Sequence, residues 1–174
     1  MPDTSFQVAG VINATKGNAT GFQIAGVVNI TKENVRGFQI AGLSNIAWKR
    51  FNGIQIAPVV NVAKETKGFQ LALINVADTS SGVSIGLINI IRHGYHRISF
   101  YVNELTNSNI SIKTGNATFY TMLLAGANVS NHQKIYTGGY GIGHDFILNK
   151  RILISTEAAG HAVFLGNWEY PGIL

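Results

Sequence analysis

Six copies of one short unit fill the first half of this chain. The first reads Phe6-Gln7-Val8-Ala9-Gly10-Val11-Ile12-Asn13, and its counterparts are residues 22–29, 38–45, 54–61, 69–75 and 83–89. The leading apolar residues stand at 6, 22, 38, 54, 69 and 83, so successive spacings are 16, 16, 16, 15 and 14. A repeat this short constrains the fold strongly. One unit cannot bury its own faces, so copies must stack on one another.

Each position of the unit has a physical role. Phe22 and Ile24 alternate with Gln23 and Ala25, the period of two expected of a strand. A glycine precedes five units, at Gly21, Gly37, Gly53, Gly68 and Gly82. Glycine adopts the positive φ that a tight turn into a strand demands. The shared Asn (Asn13, Asn29, Asn45, Asn61, Asn75, Asn89) is expected to bond nearby backbone at a bend, and stacked copies can form an amide ladder. Gln7, Gln23, Gln39, Gln55 and Gln70 can form a second ladder, which Ser84 ends.

The first four units carry an extra residue after the Ala: Gly10, Gly26, Gly42 and Pro58. The last two omit it. A site that accepts Gly, Pro or nothing is a corner or bulge, because Pro cannot sit in a central ladder. The prediction is therefore a β-solenoid of about six rungs of 14–16 residues over residues 6–91. Each rung has two short strands meeting at the corner, with polar loops at residues 15–20, 31–36, 47–52, 63–67 and 78–81. A meander with one nine-residue strand per repeat explains the period but not Pro58. A helical repeat requires apolar spacings of three and four.

The pattern stops after Ile91, and residues 92–174 read as a second, antiparallel β-domain. Strands are expected at 97–102, 109–114, 119–127, 135–146, 151–158 and 161–165, with turns at residues 107–109, 115–116, 128–132 and 149–150. Tyr136 to Phe146 alternates small and aromatic residues, with glycine on one face and aromatics on the other. Walls of β-barrels have this character, including those of outer membranes. Six strands are too few to close a transmembrane barrel of eight or more, so the domain is an incomplete barrel or an open sheet capping the solenoid.

Composition supports β-structure. Charged residues are 12% of the chain, against roughly 25% in ordinary soluble domains. There is no Cys, which excludes disulfides and thiolate chemistry. The formal net charge is +5, with Lys16, Lys32, Arg36, Lys49, Arg50, Lys64 and Lys67 scattered between strands. Scattered cations keep strand edges apart, and no nucleic-acid-binding motif accompanies them. No apolar run is long enough for a membrane helix. Residues 1–5 lack the regions of a signal peptide, and the repeat is under way at Phe6, so an exported form is expected to have its start upstream.

Gly21-Phe22-Gln23-Ile24-Ala25-Gly26-Val27-Val28-Asn29-Ile30 and Ser84-Ile85-Gly86-Leu87-Ile88-Asn89 resemble the units of bacterial surface repeat-containing proteins of the Bacteroidetes type, also found in spirochaetes. His93-Gly94-Tyr95-His96, Thr114-Gly115, Phe119-Tyr120 and Gly139 to Gly143 resemble the region that follows the repeats there. The resemblance implies a cell-surface or outer-membrane location and no known activity.

Catalytic and metal chemistry has little to stand on. His93 and His96 would face opposite sides of a strand beside Arg92 and Arg97, a poor metal site. His144, Asp145, His161 and Ser155 could form a triad only if the fold gathers them, and no nucleophile-elbow motif is present. Glu157 and Glu169 could pair as glycosidase acids. No carboxylates cluster in the strands of residues 6–91, as a solenoid enzyme would need. Ice binding would need a regular Thr face, and Thr15, Thr20, Thr31 and Thr66 lack a fixed phase.

Trp48, Lys49, Arg50 and Phe51 are the candidate ligand or interface residues, with Trp168 and Tyr170 further on. Aromatics beside cations stack on sugars or anchor at a membrane interface. Alternatively, they fold over the solenoid edge. The sequence thus points to a non-catalytic structural repeat protein of the cell envelope, without cofactor. The alternative is a glycan- or polymer-binding module that uses the solenoid face and these aromatics. Exposed aromatic rows would favour binding. Partners admitted by this reading are a membrane, a glycan, or a second copy meeting the exposed solenoid ends; nucleic acid is not among them.

Overall fold

A computed structural model describes residues 3–128, 134–149 and 151–166, with side-chain burial from Phe6 onward. Among the described residues the regular structure is all strand, joined by turns and bends, with no helix. The first eleven strands are β1 (Asp3–Ala9), β2 (Ile12–Thr15), β3 (Ala19–Ala25), β4 (Val28–Thr31), β5 (Val35–Ala41), β6 (Ser44–Ile56), β7 (Val60–Thr66), β8 (Phe69–Leu71), β9 (Ile74–Ser80), β10 (Val83–Ile85) and β11 (Ile88–Ile91). Five more follow: β12 (Tyr95–Tyr101), β13 (Ser108–Gly115), β14 (Tyr120–Ala127), β15 (Ile135–Ile147) and β16 (Leu153–Leu165).

The first eleven form a parallel β-solenoid. Identical positions pair rung to rung, as Phe6, Phe22, Phe38, Ile54, Phe69 and Val83 do on one side of the coil. On the other side Asn13, Asn29, Asn45, Asn61, Asn75 and Asn89 pair in the same way. The loops at the wide edge are shorter than the sequence suggested. Ala19 and Val35 already lie in strands, and β6 runs unbroken through residues 47–52, with a register shift against β7 between Ala47 and Arg50. Ala19, Val35 and Phe51 point inward, extending the same alternation backward from the Gln position.

The alternation places the polar set inside. Gln23, Gln39, Gln55 and Gln70 are buried, as are Asn29, Asn45, Asn61, Asn75 and Asn89. Phe22, Phe38, Ile40, Leu43, Leu73 and Ile90 face out. A small apolar cluster of Ala19, Val35, Ala47, Phe51 and Ala63 fills the wide edge. Stacked rungs stand about 4.8 Å apart. At that spacing one amide can donate directly to its copy in the next rung.

Both ladders form, and they point opposite ways. Gln23, Gln39, Gln55 and Gln70 each donate Nε2 to the preceding Gln, at 2.6–2.7 Å. Ser84 Oγ closes the row on Gln70. Each Asn from Asn13 to Asn75 donates Nδ2 to the following Asn, at 2.8–3.2 Å. The same Nδ2 of Asn29 and Asn45 also reaches the carbonyls of Ile40 and Ile56. Aligned amides polarise one another, and two opposed rows cancel their net dipoles. Among the described residues no buried side-chain polar atom lacks a partner.

Gly21, Gly37 and Gly53 lie inside β3, β5 and β6 instead of in an entry turn, and glycine is required there for a second reason besides φ. Gly53 has φ +147, and a Cβ there would lie 1.8 Å from Gly37 O in the rung below. Positive φ occurs at Gly21, Gly37 and Gly53 but not throughout the column, whereas close approach also holds at Gly68 and Gly82.

The second domain is an open, five-stranded antiparallel meander in the order β12 to β16. The two final predicted strands, 151–158 and 161–165, are one: β16 runs straight through Ala159 and Gly160. The expected turn at 149–150 is present at Asn149, whose side chain accepts from the amides of Arg151 and Ile152. The sheet caps the last rung. Asn89 Nδ2 donates to Thr121 Oγ1 (3.1 Å), so the Asn ladder ends on β14. Asn116 Nδ2 donates to Gly82 O, and Tyr140 Oη to Gly86 O.

Candidate functional site

The solenoid exterior has three zones. The first is an aromatic row on the Gln side. Phe6 and Phe22 lie 6.2 Å apart by ring centroids, and Phe22 and Phe38 stack at 4.7 Å with planes 2° apart. Ile24, Ile40 and Ile56 run beside them in register. The second is the corner, where Val11, Leu43, Val59, Leu73 and Leu87 are exposed. Neither zone carries a charge.

The third zone is a polar ridge along the opposite edge, and it holds Trp48. This side chain is 63% exposed and lines a groove of about 600 Å³ with Lys32, Asn34, Lys49, Arg50, Lys64 and His93. Lys49 pairs with Glu33, while Arg50 (2.9 Å) and Lys67 (3.3 Å) pair with Glu65. The Arg50 hydrogen bond, aided by Lys67 and opposed by desolvation, holds the Glu65 carboxyl below its ordinary range. Exposed pairs of this kind contribute little stability.

Of the four candidate residues, Trp48, Lys49 and Arg50 do share this surface. Phe51 does not. It is wholly buried against Val35, Ala47 and Ala63, because the unbroken strand β6 turns it inward where a loop would have left it out. Trp168, Tyr170 and Glu169 lie outside the described residues. The repeat positions Gly21, Gly37, Gly53, Gly68, Gly82, Gln23, Gln39, Gln55, Gln70 and the six Asn form the interior and corners, away from any exposed surface that could hold a ligand.

The second domain holds a different cluster. Tyr120 is fully buried, with its hydroxyl 2.7 Å from Glu157 Oε1 and 3.1 Å from Asp145 Oδ1. Lys113 Nζ donates to the same Glu157 oxygen and sits 5.7 Å over the Tyr120 ring. Gly143 is glycine because Tyr120 lies across it: an added Cβ would come within 2.3 Å of the ring. Burial, then the two acceptor carboxylates, push the Tyr120 phenol well above its ordinary value. Burial opposes ionisation of Glu157, but Lys113 and Tyr120 outweigh it and lower its pKa.

The cluster reads as structural, and its pH dependence is testable. A lowered Glu157 contributes stability that is present above the ordinary carboxyl range and lost as pH falls through it. A raised Tyr120 contributes stability lost only above about pH 10. Denaturant midpoints should therefore plateau between these limits, and Glu157→Gln should flatten the acid limb. Tyr120→Phe should cost about 1–3 kcal/mol, since buried Asp145 loses its donor. A midpoint unchanged by Tyr120→Phe would remove the cluster's structural role.

Of the triad residues, Asp145 and Ser155 are cross-strand partners on β15 and β16, but neither histidine joins them: His144 alternates to the opposite face and His161 pairs far along the ladder with Gly139. His144 Nδ1 bonds Thr118 O, and Asp145 serves Tyr120. His161 and Ser155 sit six residues apart on β16, which is about 20 Å. His93 and His96 bond the carbonyls of Asp78 and Ile91.

Comparison with known proteins adds no relative: no family model, no curated protein and no solved structure matches the chain.

The geometry instead offers a broad apolar exterior over a polar, fully bonded interior. Only the absence of charge on these faces was readable in the sequence. Each unit runs nine residues without a charge, as in Phe22 to Ile30 and Phe38 to Ile46. Period-two alternation alone does not say which set faces in.

Proposed function

We propose that this chain is a non-catalytic structural module of the bacterial cell envelope, and that its solenoid works in contact with the apolar phase of a membrane. The observation that carries the proposal is the inverted polarity of the solenoid, with amide ladders inside and Phe, Ile, Val and Leu outside. Water penalises such a surface, and contiguous apolar patches mark contact with membrane or partner. In hydrocarbon every backbone group must be bonded internally, and the rung-to-rung ladders do this along both faces. The resemblance to surface repeat-containing proteins agrees with an envelope location.

A second reading, a glycan- or polymer-binding module, draws on exposed Trp48 among cations in the ridge groove. The aromatic row supports it less. Its neighbours Ile24, Ile40 and Ile56 offer no hydrogen bonds to sugar hydroxyls.

Partition of the purified chain between water and liposomes, followed by tryptophan fluorescence, tests the first reading. Partition with a blue shift is expected. A water-soluble monomer with no shift would sink it, and glycan binding lost in Trp48→Ala would then establish the second.

A further inference from the structure

The zones of the solenoid surface are arranged so that a bilayer can meet them in only one way. The corner residues Val11, Leu43, Val59, Leu73 and Leu87 form one apolar edge. From the corner out to the Phe22 row on one face and to Ile30 and its counterparts on the other, the outer faces carry no charge, and Arg36 and Lys64 stand at their ridge ends. Between residues 16 and 92 all eight Lys and Arg, and all three Asp and Glu, lie toward the opposite ridge, with Lys49 and Arg50 inside the unbroken β6 and Arg36, Lys64, Glu65 and Asp78 near the ridge ends of β5, β7 and β9. Lys16, Lys32, Arg36, Lys64 and Arg92 form no ion pair among the described residues. Backbone amides at the corner are bonded from rung to rung. Gly26 N donates to Ala9 O, Gly42 N to Ala25 O, Leu43 N to Val27 O and Leu73 N to Pro58 O, at 2.9–3.2 Å.

We infer that the solenoid inserts edge-first into one leaflet of a bilayer bearing anionic headgroups, with the corner down, the ridge at phosphate level and the solenoid axis in the membrane plane. The inference rests on the membrane-contact reading above and adds an orientation and a lipid class.

Dimensions and charge select this arrangement. At about 3.3 Å per residue, Phe22 stands about 16 Å above Val27. Half of a hydrocarbon core about 30 Å thick is about 15 Å. An axis perpendicular to the membrane also looks feasible by length, since six rungs stack to about 24 Å. It fails on charge, because the ridge runs along the axis and would carry its cations into hydrocarbon. A second copy laid against one face would leave the other face in water. A leaflet covers both faces and the corner together while the excess of cations meets phosphate.

The chain has no Cys, so Leu43→Cys at the corner and Lys32→Cys on the ridge each accept a single fluorescent label. The full chain is mixed with vesicles of phosphatidylcholine, alone or with phosphatidylglycerol, carrying spin labels at the headgroup or near the acyl-chain end. The corner label should be quenched from the chain end and the ridge label from the headgroup. Lys32→Ala combined with Lys64→Ala should weaken partition onto phosphatidylglycerol vesicles by about 30-fold. Unchanged circular dichroism shows that each variant is folded. Equal quenching depth at the two sites, or partition indifferent to phosphatidylglycerol, overturns the edge-first orientation and leaves membrane contact standing. No partition onto either vesicle overturns both.

Discussion

Gly53→Ala should unfold the solenoid or come close to it, whereas Gly10→Ala should leave its stability unchanged. At Gly53 the new Cβ would lie 1.8 Å from Gly37 O and 2.7 Å from Gly37 C. Both are backbone atoms, so no side chain can swing aside. Relief requires the rungs to part, and that breaks the bonds pairing β5 with β6. The φ of +147 adds strain for any residue with a Cβ. Overpacking costs about 1–3 kcal/mol and a non-glycine in such a region about 1–3 more, so a total of about 2–6 kcal/mol is expected. That is much of the stability of an ordinary domain. Gly10 begins the stack and an added Cβ there meets nothing within 4 Å. Thermal melts followed by circular dichroism check both. Equal melting of Gly53→Ala and the parent would mean that adjacent rungs are not held at this spacing.

The repeat made the solenoid legible because its spacing, its corner at Pro58 and its glycine column all refer to one geometry. The ladders were legible for the same reason: an Asn or Gln recurring in register has only its own copy beside it. Polarity was not legible. Phe22 and Gln23 are neighbours on opposite faces, and alternation alone does not distinguish inside from outside. General experience puts phenylalanine in. The close-set rungs instead hold Ala, Gly, Thr and amides. Phe51 shows the cost of reading locally. Between Arg50 and Asn52 it looked like a loop residue, but it occupies the inward position of Val35 one rung below. In the second domain the strands were legible and their continuity was not, because Gly160 looks like a breaker and sits in an edge strand with open space around it.

The sheet repeats part of the solenoid's polarity. One face carries Ser99, Ser111, Lys113, Glu157 and His161 along a groove. The other carries Ile98, Phe100, Ile112, Ile142 and Phe146, all exposed. Thr121 and Tyr140 on this apolar face bond the last rung. Beyond the capped rung, the apolar face of the sheet is left uncovered like the exterior of the solenoid.

Asn45→Leu should therefore destabilise the chain strongly, although it replaces a buried amide by a hydrocarbon of similar size. Asn45 Nδ2 donates to Ile56 O (2.9 Å) and Asn61 Oδ1 (3.0 Å), and Asn45 Oδ1 accepts from Asn29 Nδ2 (2.8 Å). Leucine supplies none of these and leaves Asn61 Oδ1 without its ladder donor. Net loss of two or three hydrogen bonds, with an orphaned buried acceptor, is about 3–5 kcal/mol. Phe38→Ser is the matched comparison. It removes an exposed ring and its stack on Phe22, worth about 1 kcal/mol. A domain with an apolar interior would show the reverse order, tolerating leucine at a core position and losing most from the phenylalanine. Urea midpoints of the two variants in water separate the cases. If Phe38→Ser proves the more damaging, the amide ladders do not hold the interior, and the polarity on which the membrane reading depends falls with them.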